Sequence, residues 1–445
     1  STQAKTLFPY TTLFRSAKLY IAEARGMRAF YNMLSLDLFG IIFVKEDVGE
    51  TSKIVRGDEA VEYLKKELLD IEPLLDNTTG PGRLTKAGVW GLLAKLHLNA
   101  AVYRDRYAPT FSFKTEDMDK VIEYTGRIIS SGQFALSTDY WAIFGNNNHD
   151  NKEHIFAIDQ RADLNGHNRM SYFSLSGDQF PLPAYPGANG TDGPSITSDF
   201  YRSWVNAYSP VDPANADPRF TKKNVIVDPV TGEACYAEAD YNIDRGILRG
   251  QQYGLQRVNG VFVKCPDGKF KVGKLYNVTR SKPTTPVIHT ENVDFTTAGS
   301  DYSTGFRVEK YEFSKKSQSG RNFGEADISI IRLADVYLMR AEAKLRKGDA
   351  GSALTDVNAV RTARTASGVG TPLASIDLNL LFRERGFELY WEMHRRTDMI
   401  RFGKYEGTWT EKTNADTKKR IFPIPQTAID GASNLPGYLK QNEGY

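Results

Sequence analysis

Residues 332–361 read RLADVYLMRAEAKLRKGDAGSALTDVNAVR, and this stretch indicates the fold. Its apolar periodicity predicts a helix over 328–347, followed by Gly348-Asp349 as a stop and a new N-cap. Ala341 and Ala353 lie twelve residues apart on either side of that turn. Small residues at this spacing allow two antiparallel helices to approach closely, as in a tetratricopeptide hairpin. We therefore predict a helical hairpin here.

Apolar residues at three- and four-residue steps predict helices elsewhere in the chain. They cover 17–38, a stretch from about Asp58 to Leu69, 85–103, 117–130, and a longer helix from Ser375 or Asp377 to Arg401. The pair over 85–130 resembles the hairpin of 332–361. The predicted fold is mainly α, an irregular array of tetratricopeptide-like hairpins.

A loop-rich insertion interrupts this array. Between Ser137 and Phe323 the helical periodicity fades and Gly, Pro, Asn and Asp multiply, as in PLPAYPGANGTDGP (181–194). Long ordered loops in a compact protein usually carry function. Short apolar runs predict scattered strands over 154–158, 224–227, 261–264 and 306–313. We predict four segments: 1–16, an N-terminal helical part over 17–135, a ligand-binding insertion over 136–325 with a few short strands, and C-terminal helices over 326–445.

The first sixteen residues, STQAKTLFPYTTLFRS, fit neither a signal peptide nor a helical period. Residues 6–16 resemble the conceptual translation of a sequencing adapter. We expect this segment to be an artefact without function. We also expect the native N-terminus, with any export signal, to lie outside this sequence.

Composition excludes several classes of protein. The 57 Lys+Arg against 54 Asp+Glu give a formal net charge of +3, which argues against a dedicated nucleic-acid binder. The longest apolar run, Phe39–Val44, is far too short to span a membrane. Cys235 and Cys265 form no C-x-x-C pair, which excludes a structural zinc site; they form either one disulfide or two free buried thiols.

Several motifs in the last hundred residues are specific in order and spacing. They are RLADVYLMRAEA (332–343), NAVR (358–361), FRERGFEL (382–389), RRTDMIRFG (395–403), FPIP (422–425) and QNEGY (441–445). Together with RAFY (28–31), and more loosely EHIF (153–156) and DPR (217–219), they resemble the SusD/RagB family of Bacteroidota outer-membrane nutrient-binding lipoproteins. The resemblance covers nearly all of 17–445. It departs from the family pattern at Ile41-Ile-Phe43 and at Glu443, and the segment upstream of Ala17, with its lipidated cysteine, is absent.

The resemblance implies a surface-exposed protein that binds oligo- or polysaccharide and delivers it, without catalysis, to a SusC-like TonB-dependent transporter. It implies attachment to the outer membrane through a lipid anchor missing from this chain, tetratricopeptide helices against the transporter, and a loop-rich part that closes it as a lid. RagB-type relatives take peptides, so a peptide cargo is the alternative. A pure tetratricopeptide module that recognises a peptide is a further alternative.

Glu384, Glu388 and Glu392 are four residues apart and line one helix face. A pair of carboxylates is what glycoside hydrolysis needs. However, five arginines share residues 383–401 with four acids, and ion pairs would leave neither carboxylate with the raised pKa of an acid catalyst. We predict a structural ion-pair network and no enzyme. The motif residues given structural roles are Arg332, Asp335, Glu342, Asn358, Arg361, Glu384, Arg385, Glu388, Arg395, Asp398, Arg401, Pro423 and Pro425.

No other chemistry has a strong candidate. His149 and His154 are five residues apart and lack a third ligand, so no metal is predicted. Gly368-Val-Gly370 lacks the residues of a phosphate loop, and no Gly-x-Ser-x-Gly elbow occurs. We predict no cofactor, although a calcium ion among the Asp/Asn loops is conceivable.

Aromatic residues in the insertion are the candidates for ligand binding. An indole or phenol plane stacks on the apolar face of a sugar ring, while Asn and Arg bind its hydroxyls. Trp204 and Tyr185 are the first choices. The full candidate set is Trp204, Tyr185, Trp141, Tyr201, Tyr208, Tyr253, Asn168 and Arg202.

Overall fold

The computed structural model describes residues 10–45, 47–78, 80–164, 167–179, 182–183, 187–191, 193–293, 304–317, 321, 324–368 and 370–445, with side chains from residue 16 onward. The helices are α1 (Tyr10–Phe39), α2 (Gly57–Ile71), α3 (Lys86–Arg104), α4 (Thr115–Ser130), α5 (Met170–Ser174), α6 (Ser198–Tyr208), α7 (Pro213–Ala216), α8 (Leu333–Arg346), α9 (Ala350–Thr362), α10 (Leu378–Leu389), α11 (Arg395–Arg401) and α12 (Gln426–Gly431).

The strands are short. They are β1 (Ile42–Val44), β2 (Lys53–Val55), β3 (His154–Ile158), β4 (Thr221–Lys222), β5 (Ala234–Tyr236), β6 (Arg245–Leu248), β7 (Gly250–Gln251), β8 (Tyr253–Leu255), β9 (Arg257–Val258), β10 (Val261–Phe262), β11 (Phe270–Lys274), β12 (Tyr276–Asn277), β13 (Lys282–Pro286), β14 (Ile288–His289), β15 (Arg307–Glu309) and β16 (Ile328–Arg332). The mainly helical fold predicted from the periodicity is confirmed.

The hairpin of α8 and α9 forms as predicted. Gly348 adopts φ +85°, a left-handed conformation that glycine accepts readily and that ends α8. The Asp349 side chain accepts a 3.0 Å hydrogen bond from the Ser352 N–H and caps α9. Ala341 and Ala353 are fully buried between the helices. The small residues therefore allow the close approach that their spacing indicates.

Helices α1 to α4 pack with α8 around the largest hydrophobic core. Thr85 caps α3 by accepting a 3.1 Å hydrogen bond from the Gly88 N–H. Helix α1 buries Ala22, Ala29 and Leu36 in this core. Tyr20 and Tyr31, two of the apolar residues whose spacing predicts α1, are 59% and 62% exposed. The spacing predicts the helix correctly, yet part of the apolar stripe lies on its outer side.

The helix predicted from Ile328 begins later. Residues 328–332 form β16, which pairs antiparallel with β3, and α8 begins at Leu333. Isoleucines at 328, 330 and 331 favour a strand because β-branched side chains pack well on a pleated surface. This two-stranded sheet joins the middle of the chain to its C-terminal helices.

The helix predicted to end at Arg401 is two helices. Asp377 caps α10 through a 2.7 Å hydrogen bond from the Leu380 N–H. The backbone turns after Leu389, where Trp391 and Met393 both adopt φ +64°. Residues in this region cannot continue a right-handed helix. The chain resumes as α11 at Arg395.

The middle of the chain carries small antiparallel sheets, with β6 between β15 and β4, and β11 between β5 and β8. The strand predicted over 154–158 is confirmed, whereas those over 261–264 and 306–313 shrink to β10 and β15. Residues 224–227 form no strand, because the N–H groups of Asn224 and Val225 donate to Asp244 Oδ1 at 2.8 and 2.9 Å. The four-segment division of the chain stays a prediction.

Cys235 and Cys265 form a disulfide, which decides between the two alternatives left open by the sequence. Among the described helices, none combines the length and the apolar character needed to cross a lipid bilayer.

Candidate functional site

A polar groove of about 540 Å³ opens beside α6 in the middle of the chain. Strand β6, the paired strands β7 and β14, and the start of α7 form its other walls. The side chains that decide its chemistry are those of Tyr201, Asp212, Asp244, Arg249, Gln252 and Glu291. We call this site the β6 groove.

Arg249 is the central cation of the β6 groove. Its Nη1 donates to the Tyr201 hydroxyl at 3.1 Å, and its Nη2 donates to Asp212 Oδ1 at 2.7 Å. The hydrogen bond from Arg249 holds the pKa of Asp212 below its usual value. The Tyr201 ring packs edge-on against Phe306, with centroids 4.6 Å apart. The ring and the guanidinium are thereby fixed together at the groove wall.

Each charge in this groove has an opposite partner. Lys223 Nζ donates to Asp244 Oδ2, and Asp244 Oδ1 accepts two backbone N–H groups. At the edge, Arg202 Nε lies 2.6 Å from Glu291 Oε1. Three cations face three carboxylates, so the site is close to neutral. Hydrogen-bonding groups around the Tyr201 ring, without net charge, suit an uncharged polyhydroxylated ligand.

The candidate ligand residues fall into different places. Tyr201 lines the groove, and Arg202 borders it through Glu291. Tyr185 lies outside the described residues. Tyr253 is half-buried on β8, opposite Lys274 of β11 and away from the groove lining.

Trp204 and Trp141 cannot serve as platforms for a ligand in this structure, because they are 0% and 1% exposed. Trp204 stacks on Phe387, with centroids 3.7 Å apart and planes at 15°. Trp141 Nε1 donates to the Pro218 carbonyl at 3.1 Å. Both indoles belong to the second hydrophobic core, which joins α6 to α10. The prediction that they stack on sugars is wrong for this conformation.

Tyr208 and Asn168 have structural partners. The Tyr208 hydroxyl donates to Asp217 Oδ2, and its ring stacks on Trp204. Asn168 is buried; its Nδ2 donates to the Ala326 carbonyl at 2.9 Å and its Oδ1 accepts from the Met170 N–H at 2.9 Å. These contacts satisfy the amide of Asn168 within the fold and leave it unavailable to a ligand.

Sequence reasoning missed Arg249, Asp212, Asp244 and Glu291. Each lies in a different turn or strand end, and none belongs to a periodic pattern or a motif. The pairing of β6 with β15 and of β7 with β14 brings Asp244, Arg249 and Glu291 to one groove, and Asp212 joins them from the start of α7.

The acids Glu384, Glu388 and Glu392 form an ion-pair network, as predicted. They do not share one helix face, because α10 ends at Leu389 and Glu392 lies beyond it. Glu388 lies 2.7 Å from both Arg332 and Arg364 and 3.0 Å from Arg219. Burial alone would raise the pKa of Glu388, but the three guanidiniums hold this pKa well below its usual value. A carboxylate in this setting cannot act as a general acid at neutral pH.

Glu384 and Glu392 complete the network. Glu384 lies 2.6 Å from Arg361 and 2.7 Å from Arg219, and Glu392 lies 2.7 Å from Lys310 and from Arg332. All of these cations come from outside the 383–401 stretch. The pairing was predictable, whereas its partners were not.

Comparison with protein families identifies the family of this chain. The SusD family model matches residues 152–445, which is most of the chain. The chain belongs to the SusD family.

Relatives of known name and structure extend across the whole chain. The starch-binding protein SusD of Bacteroides thetaiotaomicron is 26% identical over 444 residues, which cover 95% of this chain and 72% of that protein. A solved SusD homologue from the same species has a TM-score of 0.65 at 18% identity and covers 97% of this chain and 79% of its own. Surface glycan-binding protein A from that species, in complex with laminarihexaose, has a TM-score of 0.59 at 19% identity over 96% of this chain and 79% of its own.

The SusD family motifs hold the C-terminal helices together. Arg385 on α10 binds Asp335 on α8 and Asp398 on α11, at 3.0 and 2.8 Å. Asn358 exchanges two hydrogen bonds with the backbone of Leu373, at 3.0 and 2.8 Å. These contacts explain why the motifs need charged or amide side chains.

The last SusD family motif ties the C-terminus to α1. Asn442 Nδ2 donates to the carbonyls of Phe39 and Phe422, at 3.0 and 2.9 Å. Pro423 and Pro425 flank Ile424, whose N–H donates to the Gln441 side chain at 2.7 Å. Proline lacks an N–H, so the single donor between the two prolines is satisfied by Gln441.

Proposed function

We propose that this chain is a cell-surface glycan-binding protein that captures oligo- or polysaccharide and delivers it, without catalysis, to a TonB-dependent outer-membrane transporter. The observation that carries the proposal is the β6 groove, where Tyr201 stands beside compensated charge pairs. Such a surface offers a ring face to stack on and hydrogen-bonding groups for hydroxyls, without attracting ions. The named starch-binding relative and the laminarihexaose complex of a structural neighbour support the same ligand class.

Affinity electrophoresis through gels cast with neutral polysaccharides tests the binding. We expect one or more of a set of starch, laminarin, xyloglucan and mannan to retard the chain. Tyr201→Ala should weaken that retardation roughly tenfold, since it removes the stacking ring. Tyr31→Ala is the matched control, because this tyrosine is exposed on α1 and lies outside the groove. Absence of retardation by every glycan, or equal retardation of the Tyr201 variant, would contradict the proposal.

The same gels test the absence of catalysis. After the run they are stained for intact polysaccharide. We expect uniform staining, because the acid row over 384–392 is locked in ion pairs. A cleared zone at the position of the purified protein would overturn the non-catalytic proposal.

Delivery to a transporter and attachment to the outer membrane rest on membership in the SusD family. Affinity purification of the tagged protein from detergent-solubilised membranes of its own bacterium tests both. We expect a TonB-dependent transporter to co-purify in near-equal amount. Recovery of the protein without any transporter, from wild-type membranes, would contradict this partner.

A further inference from the structure

A second concave site lies between α6 and the C-terminal helices. It has a volume of about 540 Å³ and takes its walls from α6, α10, α11 and residues 405–412. Aromatic rings dominate the lining, which is far less polar than that of the β6 groove. Its main side chains are those of Phe200, Phe382, Trp391, Trp409, Arg383 and Arg395. We call it the aromatic cleft.

The cleft is built by backbone features rather than left over by loose packing. A Cβ on Gly386 would lie 2.9 Å from Arg395 Nη1 and 3.2 Å from Phe200 Cε2, so only glycine permits both to approach α10. The left-handed residues Trp391 and Met393 separate α10 from α11 and open the space between them. Asp199 on α6 accepts from the Thr410 hydroxyl at 2.5 Å and holds the outer wall.

Two arginines in the cleft lack the partners that their neighbours have. Arg385 and Arg401 are saturated by buried carboxylates. By contrast, across the described part of the chain no carboxylate lies within ion-pairing distance of Arg383 or Arg395, and the buried Nε of Arg383 has no hydrogen-bond partner. Arg395 lies over the Phe382 ring, 3.6 Å from its centroid, and gives one hydrogen bond of 2.7 Å to the Phe382 carbonyl.

The remaining ionisable groups leave the cleft positive. Asp398 is neutralised by Arg385 and Arg401. Asp199 is bound only to the uncharged Thr410, so it offsets one of the two positive charges of Arg383 and Arg395. Burial lowers the pKa of His394 to about 4, so its imidazole is neutral at pH 7. Lys412 adds a third cation, bonded to backbone carbonyls. Guanidiniums without carboxylates in an apolar setting favour an anionic ligand group.

We propose that the aromatic cleft binds a small aromatic carboxylate, with its ring among the aromatic side chains and its carboxylate on Arg383 and Arg395. A planar guanidinium binds a carboxylate through two parallel hydrogen bonds, and aromatic side chains stack on a planar ring. A sugar fits this lining less well, because its hydroxyls would lose hydrogen bonds to water against apolar walls. The proposal is independent of the β6 groove and of the glycan that it binds.

Isothermal titration calorimetry with 4-hydroxycinnamate tests the proposal on the full chain. We expect saturable binding, and at least tenfold weaker binding of the uncharged methyl ester. Arg383→Gln and Arg395→Gln should each weaken the binding of the acid about tenfold, as loss of a charge-assisted contact does. Arg127→Gln on α4 is the matched control and should leave the affinity unchanged, since this arginine lies outside the cleft.

Thermal unfolding of each variant separates lost contacts from lost folding, and Arg383→Gln carries the test if Arg395→Gln unfolds. No binding of the acid at millimolar concentration, equal binding of its ester, or unchanged affinity in a folded Arg383→Gln variant would overturn the proposal. Preference for galacturonate oligosaccharides over the aromatic acid would also overturn it, in favour of an acidic sugar. None of these outcomes bears on retardation by neutral glycans, which reports on the β6 groove.

Discussion

Arg401 on α11 donates two parallel hydrogen bonds to Glu342 on α8, from Nε to Oε1 and from Nη2 to Oε2, both of 2.8 Å. Both side chains are buried, and Asp398 binds the same guanidinium at 2.7 Å. A fully desolvated pair of this kind adds little net free energy, but loss of one partner leaves a buried charge uncompensated. The SusD family motifs that contain these residues therefore act as a single unit across the C-terminal helices.

Arg401→Met is expected to lower the free energy of unfolding by about 3 to 5 kcal/mol, because Glu342 and Asp398 each lose a buried counter-charge. Urea unfolding followed by circular dichroism measures the change. The control is Glu59→Gln, since the Lys53–Glu59 pair is exposed and such pairs contribute about 1 kcal/mol or less. Equal effects of the two substitutions would contradict the role assigned to the buried pair.

Stability is expected to fall steeply in acid. Arginine and lysine partners lower the pKa of Glu392 and of Asp398 to about 2 in spite of burial. A carboxyl group with a depressed folded pKa contributes stability above its unfolded value near 4, and loses it as the pH falls towards the folded value. We expect the urea midpoint to drop between about pH 5 and pH 2. A midpoint that is flat over this range would show that these pairs are not maintained in solution.

Glu309 is expected to give the opposite pH dependence, with stability lost as the pH rises. Burial raises the pKa of Glu309 to about 8. Among the described residues none bonds its Oε2, while its Oε1 accepts from the Phe313 N–H at 2.7 Å. The folded state keeps the proton that the unfolded state releases above about pH 4, so this group costs stability as the pH rises towards 8. We expect the free energy of unfolding of Glu309→Gln to rise relative to that of the wild type between pH 5 and pH 8.

The pH dependence of the difference in unfolding free energy measures this effect of Glu309. The variant serves as its own control at pH 4 to 5, where the wild-type carboxyl is protonated in the folded state. A difference that stays constant from pH 5 to pH 8 would contradict the raised pKa.

Substitutions of Trp204 and Tyr201, both on α6, are expected to affect different properties, the first stability and the second glycan binding. Trp204→Phe should lower the melting temperature but leave retardation by glycan unchanged, because the indole is buried against Phe387. Tyr201→Ala should weaken retardation with a smaller effect on melting. Differential scanning calorimetry and affinity gels on both variants make the comparison. Loss of binding in a well-folded Trp204→Phe variant would show that this indole becomes accessible to the ligand.

The local features of this fold were predictable because they depend on neighbours in sequence. A glycine in a left-handed turn, an aspartate cap and small residues twelve apart define the hairpin at Gly348-Asp349 by themselves. Short-range geometry and hydrogen bonding decide such features, and they survive in any tertiary context that buries the apolar face.

The tertiary structure determines which partners each side chain contacts and whether it is buried. The spacing of acids and arginines over 383–401 indicates ion pairs, but Glu388 takes its partners from Arg219, Arg332 and Arg364, far away in sequence. Trp204 and Tyr201 are three residues apart on one helix, and only the packing of Phe387 and the opening beside β6 make one a core residue and the other a groove residue. Burial and charge pairing are set by long-range contacts, which amino-acid spacing does not encode.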